Sequence, residues 1–153
     1  MRHDDIAAIT RLKYQYFRHL DLKEFDALGA LLTDGCTAAY DDGNLSFEGR
    51  DAIVSFLSDS LSSAGLISEH HGHHPEIDFN GDESATGVWY LEDRVLIPEA
   101  DLEISGTAFY EDRYERVDGQ WRIAHTGYVR VFEEQRDFST RALKKFSSRF
   151  DQG

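Results

Sequence analysis

From residue 4 to about residue 20, Ile6, Ile9, Leu12, Tyr16 and Leu20 recur at three- and four-residue steps, the spacing of one apolar stripe on an amphipathic helix. Asp21-Leu22-Lys23-Glu24 has the spacing of a capping box. It predicts that the first helix stops near Asp21 and that a second, carrying Phe25, Leu28, Leu31 and Leu32, runs to about Gly35. Residues 36–48 hold Tyr40, the turn-like Asp41-Asp42-Gly43-Asn44, then Leu45 and Phe47, the pattern of a short hairpin. A third helix is predicted from Arg50 to Ser60 by Ile53, Val54, Phe56, Leu57 and Leu61, with Ser62-Ser63-Ala64-Gly65 ending it.

After residue 66 the period changes to two. Four long strands are predicted at 67–79, 84–97, 104–117 and 121–133, with Asn80-Gly81-Asp82 and Asp118-Gly119 as tight turns and Pro98 to Asp101 as a looser connection. Residues 139–149 read as a terminal helix with a basic exposed face. Three helices followed by an antiparallel meander make an α+β arrangement with the helices on one sheet face. A strongly curved sheet wrapped over the first helix would form a cone, with an apolar pocket on its concave side.

Composition narrows the functional classes. At 153 residues the chain has the size of one domain, expected over 1–153 with 139–153 as a peripheral tail. Its 41% hydrophobic and 12% aromatic content, with two prolines and no low-complexity run, excludes a disordered polymer. A formal charge of −13 argues against nucleic acid and anionic membranes as partners, since both need clustered Lys and Arg. Cys36 is alone, so no internal disulfide can form, and residues 1–20 carry charges in place of an apolar leader; a cytoplasmic location is expected.

The stretch Glu69-His70-His71-Gly72-His73-His74-Pro75 holds four of the seven histidines. Neighbouring strand residues point to opposite faces and no CxxC or HExxH accompanies them, so no metal site is expected. A general base needs an imidazole facing the pocket with a carboxylate behind it. Asp93 shares an alternation class with Ala85, Gly87, Trp89, Leu91 and Val95, so its carboxylate should be buried and paired, either with a histidine or in a structural ion pair with an arginine. Arg130, in the class of Ala124, Tyr128 and Phe132, must likewise find an anion: Asp21, Asp93 or a substrate group. Tyr16 lies in the apolar stripe and its phenol needs a partner in the core, which an ordinary core tyrosine would also have. Asp21 has a sufficient role as a helix cap.

Four segments carry a resemblance: Tyr16-Phe17-Arg18-His19-Leu20-Asp21, His70 through Ile77, Ala85 through Arg94, and Gly119-Gln120-Trp121 through Arg130. They resemble the SnoaL-like dehydratases of the nuclear-transport-factor-2-like superfamily, most closely the bile acid 7α-dehydratases, over residues 6–135. Scytalone dehydratase is a more distant member of the superfamily. The resemblance implies a cystatin-like cone and a lyase needing no cofactor. It implies catalytic roles for Tyr16, Asp21, His70, Asp93 and Arg130, with His70 as base oriented by Asp93, and substrate contacts from His73, Trp89 and Tyr128. Strict alternation back from Ile77 and Phe79 would instead turn His71 and His73 inward, and only a bulge near Gly72 or Pro75 returns His70 to the inner face.

The implied reaction removes water from a hydroxylated enone such as a 7α-hydroxy-3-oxo-4-ene steroid, as free acid or coenzyme A thioester, in a homotrimer. Two other readings stand beside it: a binding domain without catalysis, and a 3-oxosteroid isomerase.

Overall fold

The computed structural model describes residues 2–151. Helix α1 (Arg2–Leu22) buries Ile9, Leu12, Tyr16, Phe17 and Leu20. The same face carries Lys13, fully buried, whose Nζ lies 2.8 Å from Asp112 Oδ2. Burial lowers the Lys13 pKa and the Asp112 carboxylate opposes that shift.

Asp21 lies inside the last turn of α1 and caps no helix. Glu24 stands at the start of α2 (Phe25–Gly29) with no side-chain cap bond, so the expected capping box does not form. Helix α2 ends at Gly29, well short of Gly35. The reason is a change of period: Leu32, Cys36, Ala38 and Tyr40 are the buried positions of a strand, β1 (Leu32–Tyr40). A 3-10 turn at Asp41–Gly43 leads to β2 (Leu45–Glu48), which pairs antiparallel with β1 as the predicted hairpin. Helix α3 (Arg50–Leu61) buries Ile53 and Leu57.

Strands β3 (Ile67–Phe79), β4 (Ser84–Ile97), β5 (Leu102–Val117) and β6 (Gln120–Arg136) form the meander. The curved sheet has the order β2-β1-β6-β5-β4-β3. It is mixed and not wholly antiparallel, because β1 runs parallel to β6. That pairing covers the edge of β6 that a four-strand meander would leave open.

The terminal helix expected at 139–149 is absent. A 3-10 turn at Phe138–Arg141 is pinned by Asp101, which accepts from the Ser139 amide at 2.6 Å and the Ser139 hydroxyl at 3.0 Å. The chain then continues to Asp151 without regular structure. Leu143 and Phe146 remain exposed, so a helix here would have no apolar face to bury, and short helices without tertiary packing are marginal.

One irregularity positions the site. The β3–β4 register shifts between His73 and Glu76, with His74 at φ 51°. This bulge puts Ser68, His70 and Gly72 on the same inward face as Ile77 and Phe79, while His71 and His73 are exposed. Among the described residues no helix is long and apolar enough to cross a membrane.

Candidate active site

His70 Nδ1 lies 2.6 Å from Asp21 Oδ1, and the His70 amide donates to Asp21 Oδ2 at 2.9 Å. The Ser68 hydroxyl donates to Asp21 Oδ1, also at 2.9 Å. A carboxylate only accepts, so Nδ1 carries the hydrogen in this contact and Nε2 is left as the basic nitrogen. Three contacts from one strand therefore fix the carboxylate that fixes the imidazole.

Phe17 holds the ring from a second direction, stacked on His70 with centroids 6.1 Å apart and planes 5° apart. Gly72 makes room for it. A Cβ built on Gly72 would stand 2.4 Å from Phe17 Cε2, so any side chain there would displace the aromatic ring.

His70 lines a cavity of about 330 Å³ together with Tyr16, Tyr40, Asp93, Tyr110, Tyr128 and Arg130, the rest of its wall being largely apolar, with Leu20, Phe56, Leu57, Leu91 and Ile104. The Tyr16 and Tyr40 hydroxyls lie 2.7 Å apart in a hydrogen bond. Burial is the first cause raising the pKa of Tyr16, Tyr40 and Tyr110, so these phenols are held as neutral O–H groups.

Asp93 and Arg130 form a two-pronged pair, with Nη1 to Oδ1 at 2.5 Å and Nη2 to Oδ2 at 2.9 Å. Burial alone would lower the Arg130 pKa; the hydrogen bond and charge of Asp93 outweigh it and the net direction is upward. Arg130 Nε is buried without a partner, which leaves one guanidinium donor uncommitted. The Arg130 guanidinium also lies 5.1 Å from the centroid of the Tyr128 ring.

A family model for the SnoaL-like domain matches residues 1–127. The chain belongs to the SnoaL-like family. Solved structures agree in fold: a protein assigned as a scytalone dehydratase from Novosphingobium aromaticivorans is 23% identical over 87% of this chain and 88% of its own, with a TM-score of 0.80. A hexachlorocyclohexane dehydrochlorinase of LinA type 3 from Novosphingobium barchaimii is 18% identical over 88% and 91%, with a TM-score of 0.78. ActVI-ORFA from Streptomyces coelicolor is 16% identical over 82% and 96%, with a TM-score of 0.70. At these identities the likeness is one of fold, the α+β nuclear-transport-factor-2-like fold with a curved mixed sheet of six strands and three helices.

In this SnoaL-like chain the cavity gathers Tyr16, His70, Asp93, Tyr128 and Arg130, while Asp21 stands behind His70. The carboxylate on His70 is thus Asp21, not Asp93. His70 and Asp93 are cross-strand neighbours in the β3–β4 register, but the Asp93 oxygens are both taken by Arg130. His73 and Trp89 do not line this cavity. His73 is exposed on the other face of β3, and Trp89 is fully buried at another part of the core, donating from Nε1 to Tyr114 Oη at 2.9 Å. Among the described residues no group of three or more His, Cys, Asp or Glu side chains could hold a metal ion.

Tyr40, Tyr110 and Ser68 were not singled out by the sequence reading. The period-two run Cys36, Ala38, Tyr40 carried the signal for Tyr40, because it directs that phenol inward from a strand next to β6.

Proposed function

We propose that the protein is a dehydratase that works by general acid and base catalysis, with His70 Nε2 as the base. The observation that carries this reading is the three-point fixation of Asp21 against His70 at the wall of a cavity that also holds neutral tyrosine hydroxyls.

The substrate we propose is a hydroxylated enone, of which a 7α-hydroxy-3-oxo-4-ene steroid is the specific case. Its C6 proton is acidic by vinylogy. His70 takes that proton, and negative charge spreads toward the C3 oxygen as a dienolate. The 7α-hydroxyl then leaves as water, with a proton supplied by the Tyr16 and Tyr40 hydroxyl pair or returned by His70. Arg130, fixed by Asp93, supplies positive charge at the cavity wall. At about 330 Å³ the cavity is at the small end of ligand sites, so the reacting rings would sit inside and the carboxyl end of the substrate, free or as coenzyme A thioester, outside.

We further propose a homotrimer. Tyr90, Phe109 and Val129 are register partners on three adjacent strands and all are exposed on the outward sheet face, an apolar strip suited to a second copy of the chain.

The test is incubation with a 7α-hydroxy-3-oxo-4-ene steroid, as free acid and as thioester, following the ultraviolet rise of the extended dienone. A rise that His70→Ala abolishes supports the reading. Binding without any rise would leave a binding domain, and isomerised product without loss of water would mean a proton shuttle.

A further inference from the structure

His70 and Asp21 also line a second concavity, of about 480 Å³, between α1 and β3. Its other walls are Tyr14, Phe17, Arg18, Leu22, Gly72 and Arg149. Arg18 lines it from α1 and Arg149 from the irregular C-terminal segment, so arginines from opposite ends of the sequence share one groove.

With 29 acidic against 16 basic residues, an arginine here has many carboxylates available. Nine Lys and Arg side chains are in ion pairs, and Arg18 and Arg149 are two of the seven that are in none among the described residues, so both keep their donors for a ligand. The one carboxylate lining the groove, Asp21, is already engaged by His70 and Ser68. Beside the two cations lie the exposed ring of Tyr14 and the edges of Phe17 and Leu22, which give the groove an apolar side.

We propose that this groove is an anion-binding site for an apolar ligand, with a carboxylate or phosphate monoester held between Arg18 and Arg149 and the hydrocarbon part against Tyr14 and Leu22. Paired guanidinium groups suit both anions, since each presents two parallel N–H donors to two oxygens. The site does not require the inner cavity to turn anything over, and it goes beyond the dehydratase reading.

The experiment is calorimetric titration of the whole protein with 4-phenylbutyrate, 3-phenylpropyl phosphate and the neutral 4-phenylbutan-1-ol. Saturable binding of at least one anion is expected, with the alcohol roughly tenfold weaker or worse, in line with charge-assisted hydrogen bonds. The tighter of the two anions identifies the class. Arg18→Gln and Arg149→Gln should each weaken the anion several-fold, while Arg11→Gln, which removes the same charge elsewhere on α1, should not. Equal binding of alcohol and anions, no anion binding at millimolar concentration, or anion binding unchanged in both groove variants would overturn the proposal.

Discussion

Asp21 Oδ1 and His70 Nδ1, 2.6 Å apart, tie the last turn of the first helix to the third strand. This pair fixes a tautomer, whereas Asp93 and Arg130 hold opposite charges against each other between β4 and β6, so the two pairs should respond differently to substitution.

Asp21→Asn should lower the turnover of the dehydration by about a hundredfold or more, because an amide can present its donor to Nδ1 and turn the ring to the unproductive tautomer. Melting should change little by comparison. Asp93→Asn should behave in the opposite way, taking the two-pronged partner from Arg130 and leaving it only Glu133 Oε1 at 3.5 Å, with a loss of stability of about 1–3 kcal/mol. Steady-state rates and denaturant melts on the two variants check both halves; a larger rate loss in Asp93→Asn at unchanged stability would exchange their roles.

Tyr16 and Tyr40 share one hydrogen bond at 2.7 Å in a buried setting. Removing either hydroxyl takes a partner from the other at a cost of about 1–3 kcal/mol, whereas removing both deletes the bond together with its two ends. Tyr16→Phe with Tyr40→Phe should therefore be less destabilising than the sum of the singles, as a double-mutant cycle on unfolding free energies would show. If the pair also serves the leaving group, each single variant loses turnover beyond what its stability explains.

Gly72→Ala places a methyl group where the Phe17 ring now stands, 2.4 Å from its Cε2. The expected result is a loss of activity of roughly tenfold or more through displacement of the ring stacked on His70. Adding Phe17→Leu should restore part of it by vacating the space. Failure of the second substitution to improve on the first would mean that the strand backbone, and not the ring, had moved.

The buried tyrosines give the fold an alkaline limit. Burial raises the pKa of Tyr16, Tyr40, Tyr110 and Tyr114 above the ordinary value of about 10, so the folded state favours the neutral phenols. The unfolded chain ionises first. It then binds fewer protons than the folded one, and stability falls as pH rises above about 10. Melts between pH 8 and 12 with absorbance at 295 nm should show the late phenolate signal appearing together with unfolding. Ionisation of these phenols well before unfolding would contradict their burial.

Most of the meander was legible because its strands alternate cleanly: β4, with its buried positions from Ala85 to Asp93, has the predicted bounds of 84–97. The second helix is shorter than its pattern predicts, since Leu28, Leu31 and Leu32 fit a helical stripe as well as they fit a helix end followed by a strand. The bulge at His74 was visible only as a condition on His70, and β3 meets it. Only half of the exchange of carboxylates was legible: the pairing of Asp93 with Arg130 stood among the alternatives, whereas nothing in the sequence pointed to Asp21 as the partner of His70. Asp93 stands opposite His70 in register, but a side chain as long as Arg130 reaches across from β6 to take it, and the helix end then brings Asp21 to the histidine.

The central claim is that His70, held by Asp21, removes a carbon-bound proton. The measurement that tests it most directly is proton exchange in deuterium oxide, followed by NMR, on a 3-oxo-4-ene steroid that lacks the 7-hydroxyl and so cannot eliminate. Wild-type protein should exchange a C6 proton, Asp21→Asn should slow that exchange about a hundredfold, and His70→Ala should reduce it to the rate without protein. Exchange that proceeds undiminished in His70→Ala would contradict the account, whatever the protein does to the hydroxylated substrate.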